Sequence, residues 1–172
     1  MALPDLTDLP PKVTLRDCVD EDRAFLYALY RETSAGIFAR LGLPPEQLQG
    51  LLELQFRARE EGWRTQYPEG RFQIICFEKK PIGYFALGER EGNIALIYLG
   101  LTDYHRGRGI AAAITRRLQQ AALQFCHAVV LHVEVGNPAL AFWKHLNFRV
   151  LEELGPYISM TWNCPHPRDK DN

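Results

Sequence analysis

The residues with the clearest chemistry in the chain are Tyr104-His105-Arg106-Gly107-Arg108-Gly109-Ile110-Ala111, between an apolar, strand-like run and an amphipathic, helix-like one. Two glycines permit a tight turn and let a ligand come close to the backbone. The first amides of a helix have no carbonyl partners within it and point outward at its positive end. Arg106 and Arg108 add charge-assisted donors. An anion, above all a pyrophosphate, suits this combination. The same residues also describe a plain strand-to-helix turn carrying two solvated arginines. Other phosphate patterns fail: GxxxxGK[ST] is absent, and Gly107-Arg108-Gly109 lacks the third small residue and the later acid of a dinucleotide fingerprint.

Such a loop acts only if the elements around it hold it. Residues 1–12 carry three prolines and read as an extended arm. Val13–Val19 alternates as a strand, and Asp20, Glu21 and Asp22 supply an N-cap and early-turn acids for a helix burying Phe25, Leu26, Leu29 and Tyr30. A second helix follows the Leu43-Pro44-Pro45 break and ends near Gly62. From residue 71 the period shortens to that of strands. Phe72–Phe77, Gly83–Leu87 and Ile94–Leu101 are three of them, joined by turns over 78–82 and 88–93. A helix from about Gly107 to Gln124 presents Ile110, Ile114, Leu118, Ala121 and Phe125 on one face. Val129–Val135 is a strand, Pro138–Leu146 a helix, and Phe148–Leu154 and Tyr157–Trp162 close the chain as strands. This order predicts an α+β or α/β fold around one sheet, with residues 165–172 as a flexible tail.

Composition narrows the partners. The 172 residues are 47% hydrophobic and 24% charged, with 20 Lys plus Arg against 21 Asp plus Glu. A chain of this length can bury roughly 70% of its unfolded surface without metal or disulfide. A net charge of -1 gives no electrostatic reason to expect nucleic acid or an anionic membrane, although 15 of the 20 basic residues are arginine, the better oxyanion fork. No apolar run reaches the roughly 18 residues of a membrane span. A cytoplasmic monomer or homodimer is expected. Cys18, Cys76, Cys126 and Cys164 lack paired spacing, so reduced thiols are expected and no metal, Cys164 and His166 being the only nearby pair to consider.

Arg106-Gly107-Arg108-Gly109-Ile110-Ala111 resembles the R/Q-x-x-G-x-G/A acyl-CoA loop of the GNAT superfamily of N-acetyltransferases. About 26 residues later, Asn137-Pro138-Ala139-Leu140-Ala141-Phe142-Trp143-Lys144-His145-Leu146-Asn147-Phe148 resembles that family's N-x-A-x-x-x-Y-x-x-x-G-F segment. The likeness spans about residues 13–162, its specific motifs lying within 94–148. It implies a GNAT-like mixed sheet of about six to seven strands with about four helices, forming a single acetyltransferase-like domain over 1–172. It further implies acetyl-CoA as co-substrate and direct acetyl transfer, in a ternary complex, to a primary amine of a small molecule or peptide. By the same resemblance, the amides of Gly107, Gly109, Ile110 and Ala111 take the CoA pyrophosphate. Backbone groups of Leu99, Gly100 and Leu101 meet the pantetheine arm, Gly100 marks the strand bulge, and Asn137 hydrogen-bonds the pantetheine.

Two positions depart from the pattern. Trp143 stands where the family often has a tyrosine that protonates the departing thiolate. An indole has one poorly acidic N–H and no acceptor, so Trp143 either donates to the sulfur or packs. Asn147 replaces glycine at a C′ position and suits a left-handed turn. Acyl transfer also needs a neutral amine. Glu134 and His132, opposite Leu131, Val133 and Val135 on their strand, and Tyr98 on the neighbouring one, are the candidate proton carriers; each also reads as an ordinary polar or core residue. His145 is expected to face solvent. Arg31, Glu32, Tyr67 and Tyr157 are candidates for the acceptor side. The departure at Trp143 keeps a second class open, a CoA or acyl-CoA sensor module with little catalysis.

Overall fold

The computed structural model describes residues 2–38 and 42–163. Seven strands and four helices follow in the order β1 (Val13–Asp17), α1 (Arg23–Phe38), α2 (Pro45–Gln66), β2 (Arg71–Phe77), β3 (Lys80–Arg90), β4 (Asn93–Leu101), α3 (Ile110–Gln124), β5 (Val129–Glu134), α4 (Ala139–His145), β6 (Arg149–Leu154) and β7 (Tyr157–Trp162). The expected order of elements is the observed one. They build one sheet in the order β1-β2-β3-β4-β5-β7-β6. All neighbours run antiparallel except β4 and β5, which are parallel and joined through α3.

The two faces of the sheet bury different side chains. On one lie Phe85, Leu87, Leu131, Val133 and Met160, covered by Ile114, Leu118 and Ala122 of α3 and by Trp143 of α4. Ile114 and Leu118 are fully buried, each contributing about 1.5–3 kcal/mol by removal from water. On the other lie Ile74, Tyr84 and Ala86, covered by Leu26, Leu29 and Tyr30 of α1 and Leu52 and Phe56 of α2. The N-terminal arm, residues 2–12, forms neither helix nor strand, turns back at Pro10–Lys12 through a hydrogen bond from the Val13 amide to the Pro10 carbonyl, and lays Leu3, Leu6 and Leu9 against the first core. Arg71 fastens it by donating to the Pro4 carbonyl and pairing with Asp5.

Several boundaries differ from expectation, each for a local reason. The turns on either side of β3 are two residues long, Glu78-Lys79 and Glu91-Gly92, with positive φ at both positions of each. That geometry matches the twist of the strands, so β3 runs on at both ends, past Pro81. The cap of α1 is not Asp20. A single 3₁₀ turn over Asp20–Asp22 precedes the helix, and the Asp22 carboxylate accepts from the Val19 amide at 3.0 Å while Arg16 grips it at 2.6 and 2.7 Å. That fork holds the Asp22 carboxyl below the usual carboxylate range. Helix α2 continues four residues past Gly62, to Gln66. Val135 lies beyond the end of β5 and is exposed, in contrast to Leu131 and Val133.

Candidate functional site

The bulge that shapes the site is at Ile97, not Gly100. Ala86 pairs with Tyr98 and Leu87 with Leu96, so Ile97 is an extra residue on β4. It reverses the alternation: Ile94 and Leu96 face the α3 side before it, Leu99 and Leu101 after it, and Tyr98 turns toward α1 and α2. The β4–β5 ladder holds only three pairs, Ile94 with Val129, Ala95 with Val130 and Leu96 with Leu131, ending at the bulge. Beyond it, His132, Val133 and Glu134 pair with β7 alone. The two central strands therefore part, and β4 changes from buried at 94–96 to half-buried at 97–100. Gly100 answers a different need: a Cβ there would stand 2.5 Å from the Tyr98 hydroxyl.

At the mouth of this opening the chain turns into α3. A 3₁₀ turn over Asp103–His105 is held by Thr102, whose carbonyl accepts from the His105 amide and whose hydroxyl lies 2.9 Å from His105 Nδ1. Gly107 and Gly109 follow with φ of 71° and 78°, so α3 begins at Ile110, three residues later than its periodicity suggested. No side chain caps the helix. Among the described residues, the amides of Gly107, Arg108, Gly109, Ile110, Ala111 and Ala112 have no hydrogen-bond partner, and the first helical bond runs from Ala113 to the Gly109 carbonyl. A Cβ on either glycine would meet nothing within 4 Å. The cradle is thus open and its donors are unengaged.

The two arginines behave differently. Arg106 turns back into the loop, donating from Nε to the Leu101 carbonyl at 2.9 Å and pairing with Asp103. It braces the turn, and Leu101 offers its carbonyl to this brace. The Arg108 guanidinium lies 4.2 Å from the centre of the Tyr104 ring. Asn137 is exposed on the far side of the opening, its Oδ1 accepting from the Ala139 amide at 2.9 Å to cap α4. Its side-chain N–H groups remain for a ligand. Trp143 is buried, edge-on to Phe142 at 4.8 Å and Phe148 at 5.4 Å. Asn147 adopts φ of 64° after α4, as expected of a C′ residue.

Glu134, His132 and Tyr98 share the sheet face toward α1 and α2, on the two strands that part. Glu134 stands opposite Tyr157 of β7. His132 is exposed on β5; partial desolvation, reinforced by the charge of Arg90 and opposed by Glu152, holds its imidazole below the usual range. His145 is exposed. Of the other acceptor-side candidates, Glu32 accepts from the Asp103 amide and ties α1 to the segment leading into α3. Arg31 lies over the Tyr27 ring. Tyr67 lies over Gly88, beside the closed end of the β4–β5 pair and away from the opening.

A cluster that the sequence did not disclose roofs the opening. The Arg59 guanidinium of α2 lies 4.5 Å from the Tyr30 ring centre, 4.6 Å from Trp63 and 5.1 Å from Tyr98, and the Tyr98 hydroxyl is 3.5 Å from Thr33 of α1. Only the Arg59–Trp63 spacing, one helical turn, was visible locally. The other rings come from distant parts of the chain.

Among the described residues no group of three or more His, Cys, Asp or Glu is placed to hold a metal ion, and no helix is long and apolar enough to cross a membrane. Cys164, His166 and the tail 165–172 lie outside the described residues.

The acetyltransferase (GNAT) family model matches residues 18–148. No curated protein matches the sequence. Among solved structures, the PaiA N-acetyltransferase from Thermoplasma acidophilum in complex with coenzyme A is 17% identical, with a TM-score of 0.64, over 88% of this chain and 98% of that one. An acetyltransferase from Thermus thermophilus is 22% identical, with a TM-score of 0.65, over 88% of this chain and 97% of that one. At these identities the likeness establishes the fold.

Proposed function

Because the chain belongs to the acetyltransferase (GNAT) family, we propose that it is an N-acetyltransferase moving an acetyl group from acetyl-CoA to a primary amine by direct attack in a ternary complex. The observation that carries this reading is the row of unpartnered amides from Gly107 to Ala112, with no side-chain cap, at the mouth of the parted strands. A diphosphate supplies what a capping serine or aspartate supplies elsewhere. Arg106 holds the loop in shape, while Arg108 contributes charge.

Leu99, Gly100 and Leu101 line one side of the opening, and Asn137, fixed by its own cap contact, offers its amide N–H groups from the other. These residues align a bound thioester, which is already activated toward amines, so alignment contributes much of the rate. Glu134 and His132 accept the proton that the incoming ammonium must lose. The amine nitrogen then bonds to the acetyl carbon as the C–S bond breaks. A second nitrogen proton passes to the thiolate, leaving an amide, a thiol and one released proton. Tyr98 sits on the opposite strand with its hydroxyl toward the acceptor side. Trp143 acts by packing: it seats α4 against the sheet and so positions Asn137.

The buried Trp143, with no hydroxyl at its place, favours one second reading, a CoA sensor with little turnover. Calorimetry with CoA and mass spectrometry of products with acetyl-CoA and an amine panel test both. The Gly109→Glu variant forces a side chain into a left-handed conformation, at about 1–2 kcal/mol, and sets a carboxylate before the amides. It is expected to weaken CoA binding at least tenfold while the fold persists. Unchanged affinity in this variant overturns the donor site, whereas binding without product on any amine selects the sensor.

A further inference from the structure

The Arg59 guanidinium stands among three aromatic rings on the α1 and α2 side of the sheet. A guanidinium carries five in-plane donors, yet among the described residues the hydrogen bond of Arg59 runs from Nη2 to Glu60 Oε1 at 3.0 Å, and its Nε is buried with no partner. Glu60 is shared, since its Oε2 accepts from the Tyr84 hydroxyl at 3.1 Å. Tyr30, Trp63 and Tyr98 surround the guanidinium at 4.5–5.1 Å. Ring faces attract its charge but accept none of its in-plane N–H groups. A cation 19% exposed, rigidly housed and short of acceptors, is built to take another oxyanion.

A second charge completes the pattern. Glu134 faces the same side of the sheet from β5, across the parted strands from Tyr98. The Tyr30 hydroxyl is pushed up chiefly by burial, pulled down by Arg59 and by its hydrogen bond with Ser34, and raised by Glu134. One wall of the acceptor side is thus cationic and the other anionic.

Resting on the acetyltransferase reading, we propose that the acceptor is a zwitterion of the amino-acid type, its carboxylate received by the in-plane N–H groups of Arg59 and its ammonium presented toward Glu134. Transfer forms the N–C bond and breaks the C–S bond as described above, leaving an N-acetyl carboxylate, the CoA thiol and one proton. Arg59 sets specificity here and takes no part in proton transfer.

The test is calorimetry on the CoA-saturated protein with free L-amino acids and their decarboxylated amines as matched pairs, such as phenylalanine with phenethylamine and lysine with cadaverine. At least one amino acid is expected to bind tenfold or more tighter than its partner, and the difference to fall below threefold in Arg59→Gln. Arg59→Lys, which keeps the charge and loses the planar fork, is expected to fall between. Wild-type protein that prefers no amino acid over its amine overturns the proposal, as does full discrimination in a folded Arg59→Gln. If Arg59→Gln does not fold, the wild-type comparison decides. Selective binding of an amino acid that yields no N-acetyl product with acetyl-CoA overturns the transferase reading and leaves carboxylate recognition by Arg59 standing.

Discussion

At the scale of single residues, the glycines and the tryptophan show how a local signal does and does not reveal a role. Gly107 and Gly109 were legible because a positive φ excludes most other side chains, and both adopt one. Asn147 was legible for the same reason. Trp143 was ambiguous, because the indole types that pack and those that donate look alike in a sequence; the structure places it in the core beside Phe142 and Phe148. A Trp143→Tyr change therefore removes buried surface from a site with no evident path for its hydroxyl to the opening. It is expected to cost about 1–3 kcal/mol in urea denaturation and to raise acetyl transfer at saturating substrate by less than twofold. A tenfold gain in turnover contradicts the packing role. Arg59 left no readable mark: its neighbours Tyr30 and Tyr98 lie 29 and 39 positions away, and α2 reads simply as amphipathic.

At the scale of elements, order and type were readable because hydrophobic period changes from helix to strand at residue 71 and back in α3. The bulge was not. Its extra residue needs only a local helical-type dihedral that any side chain adopts, so Ile97 carries no glycine signature, and Gly100 drew attention for a reason unrelated to the bulge. The close approach of β3 and β4 gives a further expectation. A Cβ on Gly83 would lie 2.4 Å from the Gly100 carbonyl oxygen and 2.7 Å from a Leu101 methyl group. Backbone cannot yield as a flexible side chain does, so Gly83→Val drives the strands apart where β4 borders the opening. A loss of about 2 kcal/mol, read as a Tm lower by roughly 6 °C, is expected, with weaker CoA binding alongside. An unaltered melting curve contradicts the described β3–β4 contact.

At the scale of the whole molecule, two cores on the two faces of one sheet divide the labour. The α3 and α4 side fixes the loop from Gly107 to Ala112 and the cap at Asn137, while the α1 and α2 side gathers Tyr30, Arg59, Trp63 and Tyr98. The parting of β4 from β5 after three pairs opens a path between them. Net charge near zero leaves recognition to these local donors, not to a long-range field. The geometry of the loop from Gly107 to Ala112 was legible because it is contiguous; the Arg59 cluster was not, because it forms only when α1, α2 and β4 meet.

The central claim is that the amides from Gly107 to Ala112 hold a diphosphate, and amide NMR of the isotope-labelled protein titrated with CoA reads them directly. The resonances of Gly107, Arg108, Gly109, Ile110, Ala111 and Ala112 are expected to move downfield, saturably and more than those elsewhere in α3. CoA binding that leaves these six resonances where they stand contradicts the account.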